Sequence, residues 1–195
     1  MFDSLIRFVR DQYRTDEFIP LHAPIFRGRE RELVLDTIES TFVSSVGTYV
    51  DRFEKDMATF TASPKAVAVM NGTAALHIAL KLAEVVPGDL VVTQSLTFVA
   101  TCNAIAYCSA EPLFVDVDRH TLGLSPTALD AWLSEHALID DHGDCRTRVG
   151  HHRIRACLPM HTFGHPVELD ALLAVCERWH LILVEDAAES LGSYY

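Results

Sequence analysis

The sequence predicts an α/β fold: a mostly parallel sheet with helices on both faces. Three observations support this. A chain of 195 residues with 49% apolar and 22% charged content is long enough for one well-formed core. Short apolar runs alternate with stretches of helical spacing. Turn or capping residues separate them, as crossover connections between parallel strands require.

Element by element, the leader up to Ile19 has the spacing of a short amphipathic helix, and Pro20 to Phe26, with Pro20 and Pro24, reads as an extended arm. Helical spacing resumes from Arg29 to Thr41. Ala66 to Met70 is an apolar run expected to be a strand, followed by Asn71-Gly72-Thr73 and a helix from Ala74 to Ala83 that Pro87-Gly88-Asp89 ends. Leu90 to Thr93 reads as a strand, about Thr97 to Tyr107 as a helix, and Pro112 to Val117 as the third strand. Ser125 caps the next helix, which runs to His136, with Pro126 at the first position, where its missing N–H costs nothing. Arg155 to Met160 and Leu181 to Val184 complete the strands around a helix from about Val167 to Trp179.

The formal net charge of −11 repels phosphate backbones, and no Lys/Arg cluster overrides it, so nucleic acid is not an expected partner. Cys102, Cys108, Cys145, Cys157 and Cys176 are odd in number and scattered, which implies no disulfide framework and a reducing compartment. Residues 1–14 intersperse charges among apolar positions, unlike a signal peptide, and no stretch is long enough to cross a membrane. A cytoplasmic location and no membrane partner are therefore expected. Ile139 to His152, rich in Asp, His and Arg, reads as a surface insert; its spacing matches no standard zinc pattern, so a solvated loop is expected there rather than a metal site.

In a parallel sheet, ligands sit beyond the carboxyl ends of the strands, near a switch in strand order. The residues that follow the strands therefore carry the chemistry. No G-x-G-x-x-G or G-x-x-x-x-G-K-[ST] occurs. Asn71-Gly72-Thr73 lies between a strand and a helix, so it is either an ordinary turn and cap or an anion cradle in which Gly72 allows close backbone approach. In LILVEDAAE (181–189), Asp186 either caps the next turn or places a carboxylate at the ligand edge, with Ala187-Ala188 leaving room for a flat group. Phe98 is a core aromatic or a stacking platform. His161, at a strand end, has a structural role or lines a pocket.

Taken together, VMNGTAAL (69–76), SLTFVATCNAI (95–105), FVDVD (114–118), LPMHTFGHP (158–166) and LVEDAAESLGS (183–193) resemble, in order and spacing, the DegT/StrS family of sugar aminotransferases. IPLHAPIFRGRE (19–30) and TFVSSVGTYVDRFE (41–54) look closest to the branch that aminates a nucleotide-linked 4-keto sugar for legionaminic-type sugars. The resemblance implies the large pyridoxal 5'-phosphate (PLP) domain of the aspartate aminotransferase type, fold type I. Residues 1–28 would form an N-terminal helix and arm, and 29–195 a partial large domain. Asp186 would pair with the pyridine nitrogen, Phe98 would stack on the ring, Gly72 and Thr73 would hold the phosphate, and Glu189 would reach the ring hydroxyl. His161 would line the pocket. Ser44, Ser45 and Tyr49 belong to a stretch that faces the partner's site in a homodimer that shares its active sites.

The family holds PLP as a Schiff base on a lysine a couple of dozen residues beyond the EDAAES block. Lys55, Lys65 and Lys81 lie upstream and outside every matching block, so no residue of this sequence is assigned the catalytic role. The implied reaction is transfer of an amino group from glutamate to a keto carbon of a nucleotide-linked sugar. The alternatives are a truncated, catalytically inactive homologue or fragment lacking the Schiff-base lysine, and a PLP-dependent sugar dehydratase, in which histidine replaces the lysine. Either way, the isolated chain is expected to be inactive.

Overall fold

The computed structural model describes residues 2–20 and 23–194. The chain divides into two compact units, Met1–Ala68 and Val69–Tyr195.

The first unit holds α1 (Asp3–Tyr13), α2 (Glu30–Glu39) and α3 (Thr48–Phe60), none of which contributes a buried residue. α1 stops before the expected Ile19 because Arg14 adopts a left-handed backbone, φ 52°, and turns its N–H back to Arg10 O. The arm that follows carries no regular structure in its described residues; Leu21 and His22 lie outside them. α3 forms where the sequence reading places no helix, and Tyr49, Val50, Phe53, Met57 and Phe60 have the spacing for it. The strand expected over Ala66 to Met70 does not form. Among the described residues no strand pairs with it, Ala68 N–H is satisfied by the Glu54 carboxylate at 2.8 Å, and Val67 and Met70 are exposed.

The second unit contains the sheet. α4 (Gly72–Leu82) opens it and β1 (Leu90–Gln94) follows after a turn at Gly88, φ +85°. Then come α5 (Val99–Tyr107), β2 (Glu111–Val115), α6 (Pro126–His136), the hairpin β3 (Ala137–Ile139) and β4 (Cys145–Thr147), β5 (Ile154–Cys157), α7 (Leu169–Arg178) and β6 (Ile182–Leu183). The main sheet runs β2-β1-β5-β6, all parallel, so strand order switches direction at β1.

Alternation along the strands builds two cores. Val92 and Cys157 face Leu129 and Leu133 of α6 and Leu172 and Cys176 of α7, whereas Val91 and Ala156 face Leu76 and Leu80 of α4 and Ala104 and Ile105 of α5. Helices thus cover both faces, as the sequence predicts. Ser125 caps α6 as expected, accepting from Ala128 N at 3.2 Å.

The 139–152 segment departs from the expected loop, because the β3–β4 hairpin pairs Ala137 with Thr147 and buries Cys145 in the core. Burial pushes the Cys145 thiol up to about 12. Asp140 and Asp144 bind Arg146, and that guanidinium holds the Asp140 carboxyl down at about 2. Among the described residues, no group of three His, Cys, Asp or Glu side chains is placed to hold a metal ion. No described helix is long and apolar enough to cross a membrane.

Candidate functional site

Asn71 caps α4, its Oδ1 accepting from Ala74 N at 2.9 Å, and its carbonyl accepts from Ala75 N. The N–H groups of Gly72 and Thr73 are left without a protein acceptor among the described residues. A Cβ built on Gly72 meets nothing within 4 Å, so the backbone there borders open space.

That space belongs to a cavity of about 300 Å³ lined by Gly72, Thr73, Leu76, Phe98, Ala100, Met160, Asp186, Ala188 and Glu189. Its walls come from the start of α4 and from the segments after β1, β5 and β6, which places it at the carboxyl ends of the strands, beside the switch in strand order. Gly72, Thr73, Phe98, Asp186 and Glu189, the residues singled out in the sequence, all line it. No lysine does. A larger, more open depression of about 690 Å³ in the first unit contains Lys55 and Lys65, but no buried polar group converges on it.

Phe98 is 65% exposed, which excludes the core-aromatic reading. As the residue before α5 it presents its ring at the cavity, while its N–H donates to Met160 Sδ at 3.2 Å. Asp186 is only 4% exposed. Thr101 Oγ1 donates to its Oδ2 at 2.7 Å, and Ala188 N–H reaches Oδ1 at 3.3 Å. The turn-capping reading is therefore part of the truth, yet a 3.3 Å contact is weak and no cation pairs with Asp186 among the described residues. A buried carboxylate with so few partners is costly unless a ligand supplies a donor or positive charge.

Glu189 Oε2 accepts from Phe163 N at 2.8 Å, tying the end of the site to the turn at Thr162–Gly164. Gly164, with φ +81°, lies so close that an added Cβ would fall 2.9 Å from Glu189 O. His161 is buried but does not line the cavity. Val167 N–H donates to its Nδ1 at 3.2 Å, so Nε2 carries the proton and donates to Glu185 Oε2 at 3.0 Å. Ser44, Ser45 and Tyr49 lie in the first unit, where Ser44 Oγ accepts from Val46 N and Tyr49 donates to Asp36 at 2.7 Å. That bond raises the Tyr49 phenol above its ordinary value.

Two residues that support the site lie in stretches the sequence marks, Gln94 just after an expected strand and Thr101 within residues 95–105, but neither has a role assigned there. One is Thr101. The other is Gln94, fully buried at the end of β1, whose Oε1 accepts from Leu124 N at 2.9 Å and Met160 N at 3.2 Å. Its Nε2 donates to Met160 O at 2.9 Å, to Thr162 Oγ1 at 3.1 Å and to Leu96 O at 3.2 Å. Gln94 thereby fixes Met160, which lines the cavity, against β1.

A model described as the DegT/DnrJ/EryC1/StrS aminotransferase family matches residues 24–195. The chain is 36% identical over 177 residues to GDP-perosamine synthase of Caulobacter vibrioides, a match covering 91% of this chain and 43% of that protein. An aminotransferase from Psychrobacter cryohalolentis superposes with a TM-score of 0.74 at 27% identity, over 90% of this chain and 40% of that one. DesI, solved in the presence of its TDP-sugar product, superposes with a TM-score of 0.68 at 30% identity, over 87% and 38%. The chain thus spans about two fifths of the length of these relatives. Its parallel sheet with flanking helices is that of the fold type I aminotransferases.

Proposed function

The chain belongs to the DegT/DnrJ/EryC1/StrS aminotransferase family, a family of PLP-dependent enzymes, and from that premise we propose that it forms the cofactor-binding part of a nucleotide-sugar aminotransferase. The single observation that supports this most is the convergence of Gly72, Thr73, Phe98, Asp186 and Glu189 on one cavity.

The residues present fit PLP. The open space at Gly72, bordered by unpaired N–H groups and the Thr73 side chain at the start of an 11-residue helix, suits a phosphate. Phe98 offers an exposed ring face to a flat heterocycle. Asp186 offers a buried carboxylate to a ring N–H, and Glu189 an acceptor for a ring hydroxyl. When bound, PLP supplies an electron sink in its protonated ring for the amino-transfer chemistry.

In this reading the amino donor is glutamate and the acceptor is a keto carbon of a nucleotide-linked sugar. The names of GDP-perosamine synthase and of the DesI TDP-sugar complex support a nucleotide-linked substrate. His161 serves the pocket from behind, holding Glu185 and accepting the Val167 N–H. A homodimer sharing its sites through the stretch with Ser44, Ser45 and Tyr49 is part of the proposal. The wholly unburied helices of the first unit support a surface that something else covers.

Titration of the protein with PLP, followed by absorbance and by quenching of Trp fluorescence, tests the reading. Saturable binding is expected, weakened about tenfold or more in Asp186→Ala, because a charge-assisted contact is lost. No saturable binding, or equal binding by the variant, would sink it.

A further inference from the structure

We infer that Thr101 is a positioning residue that aims the Asp186 carboxylate at the ring nitrogen of the bound cofactor; the inference rests on the PLP reading above.

Thr101 is fully buried, its Oγ1 lies 2.7 Å from Asp186 Oδ2, and Thr97 Oγ1 lies 2.8 Å from Thr101 Oγ1. A hydroxyl has one proton, and a carboxylate can only accept. Thr101 must therefore donate to Asp186, and its lone pair then receives the Thr97 proton. The chain Thr97 to Thr101 to Asp186 has a single direction, with every proton pointing toward the carboxylate. Each bond polarises the next, which makes Thr101 a stronger donor than an isolated hydroxyl.

The backbone reinforces this direction. Thr101 sits in the first turn of α5, so the positive end of the helix lies on the same side of Asp186 as the donor. Phe98 N–H donates to Met160 Sδ; Thr97 Oγ1 lies 3.2 Å from the same sulfur, but its one proton goes to Thr101, so that approach is a packing contact and not a second hydrogen bond. Met160 thus anchors the main chain of the aromatic that lines the cavity and packs against the head of the hydroxyl chain. On the other side of Asp186, its N–H donates to Pro159 O at 2.9 Å and its carbonyl accepts from His161 N at 3.2 Å, which fixes the main chain. Only rotation of the Asp186 side chain is left to control. The Ala188 N–H bond to Oδ1, at 3.3 Å, is much the longer of the two contacts to the carboxylate, so Thr101 at 2.7 Å has the greater hold on it.

The test measures binding of PLP and of 1-deaza-PLP, in which carbon replaces the ring nitrogen, to the wild-type chain and to Thr101→Val, Thr101→Ser and Thr97→Val. A merely structural role moves both affinities together; a role through Asp186 and the ring N–H moves only their ratio. Wild type is expected to prefer PLP, and Thr101→Val to lower that preference about three- to tenfold with deaza-PLP binding unchanged. Thr101→Ser should stay within about twofold of wild type, because it keeps the donor. Thr97→Val, which leaves the buried position intact, should lower the preference less, and it provides the reading if Thr101→Val fails to fold. An unchanged preference in Thr101→Val, or in Thr97→Val should that variant fail, would overturn the inference and leave the PLP reading standing. A wild-type chain that binds both ligands equally would overturn both.

Discussion

Replacing Gln94 with leucine tests whether one buried amide holds the floor of the cavity in place. The two side chains are close in volume, so little empty space is created and the effect comes from hydrogen bonds. Leu124 N–H and Met160 N–H lose their acceptor, at 2.9 and 3.2 Å in the native protein, and both are shut away from water. An unsatisfied buried donor costs about 1–3 kcal/mol, so the pair gives roughly 2–6 kcal/mol. The total stability of a domain is about 5–15 kcal/mol, so this is a large fraction of it. The melting temperature of a chain this size should fall by about 4–24 °C. Urea unfolding followed by the fluorescence of Trp132 and Trp179 measures the loss directly. The slope should be unchanged, because the surface exposed on unfolding is the same. Gln94→Glu, which keeps the acceptors but sets a carboxylate against Met160 O, should also destabilise. A loss below about 1 kcal/mol in Gln94→Leu would refute the reasoning.

Gly72→Val should fold normally, because an added Cβ meets nothing within 4 Å, yet it should abolish PLP binding by filling the space proposed for phosphate; thermal melts and PLP titration check the two halves. Gly164→Ala should do the reverse first, destabilising the turn by about 1–3 kcal/mol, because it forces a left-handed residue within 2.9 Å of Glu189 O. Asp140 is depressed by Arg146, so its contribution to the β3–β4 hairpin is complete above its ordinary value of 3.8 and disappears as pH falls through about 2. Hydrogen exchange of hairpin amides should show that loss in wild type and not in Asp140→Asn.

The strand, turn and helix order was legible in the sequence because two-sided burial writes continuous apolar runs between caps. The site was legible for a related reason. Residues that follow strands in a parallel sheet converge, which draws attention to Phe98 and Asp186 but leaves each with a structural alternative; only the family resemblance groups them with Glu189, and all three line one cavity. Ala66 to Met70 shows where pattern ends, since an apolar run does not encode a partner, and nothing described pairs with it. Gln94 and Thr101 stand in stretches the sequence marks, yet their individual roles are not readable there. Thr93 is polar beside Gln94 in β1, as Asn103 is near Thr101 in α5, so residue type singles out neither, and the meaning of each lies in bonds to positions 66 and 85 residues away, respectively. His161 lies four residues beyond the end of β5, not at the strand end the sequence suggests, and its bonds turn it toward Glu185 and Val167 and not to the cavity.

In the proposed site the Asp186 carboxylate faces the ring nitrogen of a bound PLP. Nitrogen-15 NMR of PLP labelled at that nitrogen reads its protonation directly in the wild-type complex and in Asp186→Asn. A pyridinium shift is expected at neutral pH in wild type and a neutral-pyridine shift in the variant. A neutral ring in the wild-type complex, or the same shift in both, would contradict it.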